Sequence, residues 1–141
     1  MSSMFVHQLL LTKAIQQHVQ EVLVPTYKQR SQRMRDAISQ HLEPLGLRTN
    51  NSWPEGGFFA YVTFPNSWTI PSSVTGKRCL EYGVKIAPGD IFIVKGNSES
   101  MTRSRTPGGW GYGARLCWAW HEVDEIEEGI RRFAVALRSL Q

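Results

Sequence analysis

GGWGYGARLCWAW, residues 108–120, decides the fold: a loop punctuated by glycine delivers one arginine, Arg115, to the start of an apolar strand. Pro107, Gly108, Gly109, Gly111 and Gly113 break any regular period, whereas Leu116, Cys117, Trp118, Ala119 and Trp120 read as a strand buried on both faces. Loop becomes sheet at Arg115. A guanidinium is always charged and offers a planar fork of donors, so an arginine held at a sheet rim suits bidentate capture of a carboxylate. Taken alone, the same pattern also describes a surface arginine at a strand end.

Downstream of that stretch, Val123, Ile126, Ile130, Phe133, Ala134 and Leu137 recur at a helical period and predict a last helix over 123–139. Its acids (Glu122, Asp124, Glu125, Glu127, Glu128) gather at the positive end of the helix dipole and Arg131, Arg132 and Arg138 toward the negative end. Upstream, residues 95–112 form the longest irregular stretch, and loops of that length in a compact domain tend to be functional or mobile. Residues 84–86 and 91–94 read as short strands around a turn at Ala87-Pro88-Gly89-Asp90. Pro71 and Ser72 start a helix that Gly83 ends and Gly76 weakens. FFAYVTF, residues 58–64, is aromatic and β-branched, as a central strand covered on at least one face should be. A short strand at 47–49 precedes it, across a loop that begins at Asn50 and Asn51 and ends at Gly57.

The amino-terminal part is helical. Residues 4–24 show a loose helical period that Pro25 interrupts, and a second helix over 26–42 places Tyr27, Met34, Ala37, Ile38 and Leu42 on one stripe before Pro44 and Gly46 end it. The order of elements predicts an α+β layer: a small, mostly antiparallel sheet with helices packed on one face, preceded by a linking helix.

Composition narrows the function classes. With 141 residues, 41% of them apolar, the chain is of single-domain size and can bury a core. Its net charge of +4 is uneven: Lys28, Arg30, Arg33 and Arg35 cluster with only Tyr27 beside them, which suits a solvated helix face better than a nucleic-acid stripe. Cys79 and Cys117 lie in apolar surroundings without a second metal ligand at zinc-like spacing, so both are expected as buried free thiols, which fits a reducing cytoplasm. The apolar run at the amino terminus is broken by His7, Gln8 and Lys13, so neither secretion nor membrane insertion is expected. His7, His18, His41 and His121 form no metal or catalytic pattern, and the glycines of 108–113 open no helix that could hold a phosphate. No self-sufficient catalytic set and no metal site is legible.

Five motifs in order carry a resemblance that spans nearly the whole chain. They are Tyr27-x-x-Arg30, Pro54-x-Gly56-Gly57-Phe58-Phe59, Gly83-Val84-x-Ile86-x-Pro88-Gly89-x-x-Phe92, Arg115-Leu116-x-Trp118-Ala119 and Ile126-x-x-Gly129-Ile130. The chain resembles the carboxy-terminal small domain of class I/II, fold type I pyridoxal-phosphate-dependent aminotransferases, nearest their aromatic-amino-acid and 2-aminoadipate branch.

The resemblance implies roles for particular residues. Arg115 stands where the family grips the substrate α-carboxylate, Gly57 lies in the segment bordering the substrate entrance, and Tyr27 and Arg30 lie on the helix linking the two domains. Residues 1–24 would be a helical remnant of the large domain and 25–141 the aminotransferase-like domain. The family's cofactor is pyridoxal phosphate, bound through a large-domain lysine; Lys13, Lys28, Lys77, Lys85 and Lys95 lie in segments unlike that motif. This chain alone is therefore not expected to hold the cofactor or to transaminate. The ligand implied is an amino-acid or 2-oxo-acid carboxylate, and the partner a separately supplied large domain or a second copy of the chain. A noncatalytic carboxylate- or protein-binding module derived from such a domain is the alternative.

Overall fold

Four antiparallel strands lie in the order β1-β2-β4-β3 in the computed structural model, which describes residues 2–49, 52–106 and 108–141. They are β1 (Arg48–Thr49), β2 (Phe59–Thr63), β3 (Ala87–Pro88) and β4 (Gly113–Cys117). Asn50, Asn51 and Pro107, read above as loop residues, lie outside the described residues. β2 and β4 make the longest ladder, from Phe59 opposite Cys117 to Thr63 opposite Gly113. Side chains alternate across a strand, so one face carries Ala60, Val62, Ala114 and Leu116, all buried. The other carries Phe59, Tyr61, Thr63, Arg115 and Cys117, all exposed or half-buried.

Helices cover the first face. α3 (Val24–His41) contributes Met34, Ala37 and Ile38, α4 (Ser72–Glu81) contributes Cys79, and α6 (Val123–Arg138) contributes Ile126, Ile130, Phe133, Ala134, Ala136 and Leu137. Together with Trp118 and Leu42 they form one apolar cluster. Phe133 has no exposed surface, and truncating such a ring to alanine costs about 3–5 kcal/mol. At the start of α6 a capping box closes, with the Glu122 N–H donating to Glu125 Oε2 at 3.0 Å. Hydrogen bonds from Arg131 and then Arg132 hold the Glu128 carboxyl down at about 2. The expected α+β layer, with helices on one face of an antiparallel sheet, is the architecture found.

Four local expectations need correction. First, the amino-terminal helix breaks at Lys13 and not at Pro25: α1 (Ser2–Leu11) ends, Lys13 takes a left-handed φ of 57°, and α2 (Ala14–His18) begins. Pro25 is accommodated because Val19–Leu23 widens into a π-helical turn, shifting the carbonyls that the ring would otherwise meet, and α3 runs on without a stop. Second, β4 begins at Gly113, and its burial alternates. It is covered on one face, and Trp120, expected within it, is 86% exposed beyond its end.

Third, no hairpin forms over 84–94. β3 pairs with β4 instead, Ala87 opposite Arg115, and the chain then winds into a 3-10 turn over Gly89–Phe92. Gly89 is forced by close approach, since a Cβ there would lie 1.6 Å from the Trp110 carbonyl oxygen and 2.2 Å from the Tyr61 hydroxyl. Fourth, the stretch 95–112 contains a helix, α5 (Ser98–Arg105), whose Asn97 cap accepts a hydrogen bond from the Ser100 N–H at 2.8 Å.

Candidate functional site

Arg115 sits in the middle of β4, opposite Tyr61 on one side and Ala87 on the other. Strand alternation sends its side chain to the face the helices leave open. There its guanidinium carbon lies 4.3 Å from the centroid of the Phe59 ring and 5.1 Å from that of Phe92, both within cation–π range. The 3-10 turn after β3 is what brings Phe92 over the sheet. Among the described residues Arg115 makes no ion pair and no side-chain hydrogen bond. Its donors are therefore held in place by two rings and spent on nothing internal.

A groove of about 730 Å³ runs past Arg115, walled by Phe59, Lys85, Cys117, His121 and Glu125. The Glu125 carboxyl is held below the ordinary carboxylate range by the Glu122 backbone N–H and then by the His121 ring, which lies 3.4 Å away. Cys117, expected to be buried, is exposed, because the open face of β4 has no second layer above it. Cys79 is buried as expected. Gly57 lies two residues before Phe59 with φ 85° and nothing within 4 Å of where a Cβ would stand, so the chain turns there in open space.

Tyr27 and Arg30 brace the site from the helix side. The Tyr27 ring meets Phe58 edge-on at 4.8 Å. Arg30 donates to the Ala119 carbonyl at 2.9 Å and pairs with Glu122 at 2.6 Å, tying α3 to the connection that follows β4. Of the basic cluster, Arg33 also pairs across to α6, at Glu127, while Lys28 and Arg35 face solvent. Tyr61, the cross-strand neighbour of Arg115, was not legible as a site residue. Its hydroxyl donates to the Trp110 carbonyl, and burial followed by the Asp90 charge pushes its pKa up to about 12. The signal was present in FFAYVTF, where Phe59, Tyr61 and Thr63 share a face.

The pyridoxal phosphate that the resemblance implies would need an enclosed lysine, since an amine is a useful nucleophile only when desolvated or beside another cation. Lys13, Lys28, Lys77, Lys85 and Lys95 are all exposed, so the residues present do not by themselves fit the cofactor. Among the described residues no group of three or more His, Cys, Asp or Glu side chains is placed to hold a metal. No helix among them is long and apolar enough to cross a membrane.

No family model matches the chain. A 2-aminoadipate transaminase of Thermus thermophilus is 26% identical over 140 residues, 99% of this chain and 30% of that protein. The crystal structure of the alpha-aminoadipate aminotransferase of Thermus thermophilus, complexed with N-(5'-phosphopyridoxyl)-L-leucine, superposes with a TM-score of 0.72 at 26% identity, over 97% of this chain and 30% of that one. That of the Pyrococcus horikoshii kynurenine aminotransferase gives 0.73 at 25% identity, over 94% and 28%. The chain thus spans about three tenths of the length of the relatives it matches. Over nearly all its residues, with the same layering of helices on an antiparallel sheet, it matches the small domain of fold type I aminotransferases.

Proposed function

We propose that the chain is the small-domain portion of an aminotransferase-like protein that moves an amino group between an amino acid and a 2-oxo acid when completed by a large domain, with Arg115 taking the ligand's α-carboxylate. The observation that carries this reading is the unspent guanidinium between Phe59 and Phe92 on the open sheet face. A planar fork of donors without an internal acid is free to make a bidentate, charge-assisted contact with a carboxylate. Gly57 borders the entrance to that face, where its lack of a side chain keeps the approach clear. In this reading 1–24 belongs structurally with the large domain and 25–141 forms the domain proper, and the protein works in the cytoplasm.

These 141 residues do not transaminate by themselves, because the reactive amine and the cofactor's anchoring groups come from the large domain. The exposure of all five lysines supports that part. It also favours a second reading, in which the chain serves as a noncatalytic module that holds a carboxylate ligand.

Two measurements test the proposal. Titration calorimetry with amino acids and 2-oxo acids should detect binding that Arg115→Ala weakens by roughly 10- to 150-fold, the equivalent of about 1.5–3 kcal/mol for a charge-assisted contact. Equal affinity in the variant would remove Arg115 from the site. Absorbance of the chain mixed with pyridoxal phosphate, followed by borohydride and mass spectrometry, should show no stoichiometric phosphopyridoxyl-lysine. A single fully modified lysine would overturn the claim of inactivity.

A further inference from the structure

A second groove, of about 860 Å³, lies between α4, the segment leading into β3, the residues after the 3-10 turn and α5. Four cations line it: Lys77 from α4, Lys85 before β3, Lys95, and Arg105 at the end of α5. Six arginines elsewhere (Arg30, Arg33, Arg78, Arg103, Arg131 and Arg132) are paired with glutamates. None of the groove's four cations makes an ion pair among the described residues, and Asp90 is the one carboxylate in the wall. Like charges gathered without counter-ions repel one another, and an anionic ligand relieves that repulsion. The wall between them is aliphatic. Leu80 is 57% exposed and Ile91 61%, so the groove presents apolar surface between its charges.

We propose that this groove docks an acidic segment of a partner protein, one whose carboxylates alternate with aliphatic side chains: the carboxylates meet Lys77, Lys85, Lys95 and Arg105, and the aliphatic groups cover Leu80 and Ile91. Charge complementarity selects the anion, and the exposed aliphatic wall selects a peptide over a nucleic acid. Single strands are held by aromatic stacking platforms, and no aromatic side chain lines this groove. Lys85 borders both grooves, but Arg115 lines only the first, so the site does not depend on it.

The test uses the full chain and fluorescence anisotropy of a fluorescein-labelled peptide of alternating Glu and Leu. A matched Lys and Leu peptide, a single-stranded RNA and vesicles containing phosphatidylglycerol serve as competing probes. The acidic peptide should bind, weaken with added salt, and lose at least tenfold in affinity both in the Lys77→Glu/Lys95→Glu double variant and in Ile91→Ser. Arg115→Ala should leave it unchanged. All substituted positions other than Arg115 are exposed, and circular dichroism checks that each variant is folded. Equal binding of the Lys and Leu peptide, or no loss in the groove variants, overturns the proposal. Preference for RNA or for vesicles overturns the choice of a protein partner.

Discussion

Cys79 and Cys117 differ in what surrounds the sulfur. Cys79 faces the core from α4, where burial pushes its thiol up to about 12, and Cys117 ends β4 on the open face. The thiolate is the reactive form, so burial protects Cys79 twice, by blocking access and by holding its proton, while Cys117 is open to reagent. An aromatic disulfide reagent at neutral pH should modify one thiol per native chain quickly and the other only on unfolding, with Cys117→Ser removing the fast phase. Two fast thiols, or a fast phase that survives Cys117→Ser, would contradict the burial pattern. The same alternation that exposes Cys117 sets Arg115 on the open face, two residues earlier in the strand. The sequence marked Arg115 as the residue to watch but placed both cysteines inside, because an apolar run does not reveal whether one face or two are covered.

At the scale of elements, α6 was the most legible part of the chain and remains the one most open to improvement. Gly129 stands in its interior with nothing within 4 Å of a built Cβ. Glycine inside a helix costs about 0.5–1 kcal/mol relative to alanine, so Gly129→Ala should stabilise by that amount and raise Tm by a few degrees. A lowered Tm in thermal denaturation would show that the glycine is needed for a contact outside the chain.

α6 with its stripe and capping box, α3 with its stripe and α4 with its Pro71-Ser72 start and Gly83 stop could be read from the residues, as could β2 with its aromatic run. α5 could not, because Ser98 to Arg105 bury only Ser104 and so carry no apolar stripe; the usable signal was Asn97 as a cap. The pair of strands expected over 84–94 failed for a different reason. Their local turn chemistry was sound, but Ala87 and Pro88 find their partner in β4, far along the chain, and tertiary pairing wins over a local hairpin. Likewise Pro25 reads as a stop only if the helix is assumed to keep its ordinary register, and the π turn before it shows how a helix escapes that rule.

Across the whole molecule, the amino-terminal helices stand apart from the core. Met4 is 76% exposed, Phe5 70% and Leu11 65%, and residues 3–11 are exposed without exception. A contiguous apolar surface of this kind associates with something. In isolation the chain should therefore self-associate, and Phe5→Ser combined with Leu11→Ser should shift it toward monomer in light scattering. A clean monomer of the unsubstituted chain at high concentration would sink that expectation. The aminotransferase likeness was legible from five short motifs in order, some of which hold geometry the fold needs, as Gly89 does at its close approach to Trp110. The second groove was not, because its four cations come from separate segments that only the fold assembles.

The two rings beside Arg115 have no hydrogen-bond acceptor of the ordinary kind, so they position the guanidinium without using its N–H groups. A ligand seated there finds the whole donor fork free, with no internal acceptor among the described residues to displace. Selectivity at that point then comes from shape: two coplanar oxygens match the fork, and a single-oxygen group does not.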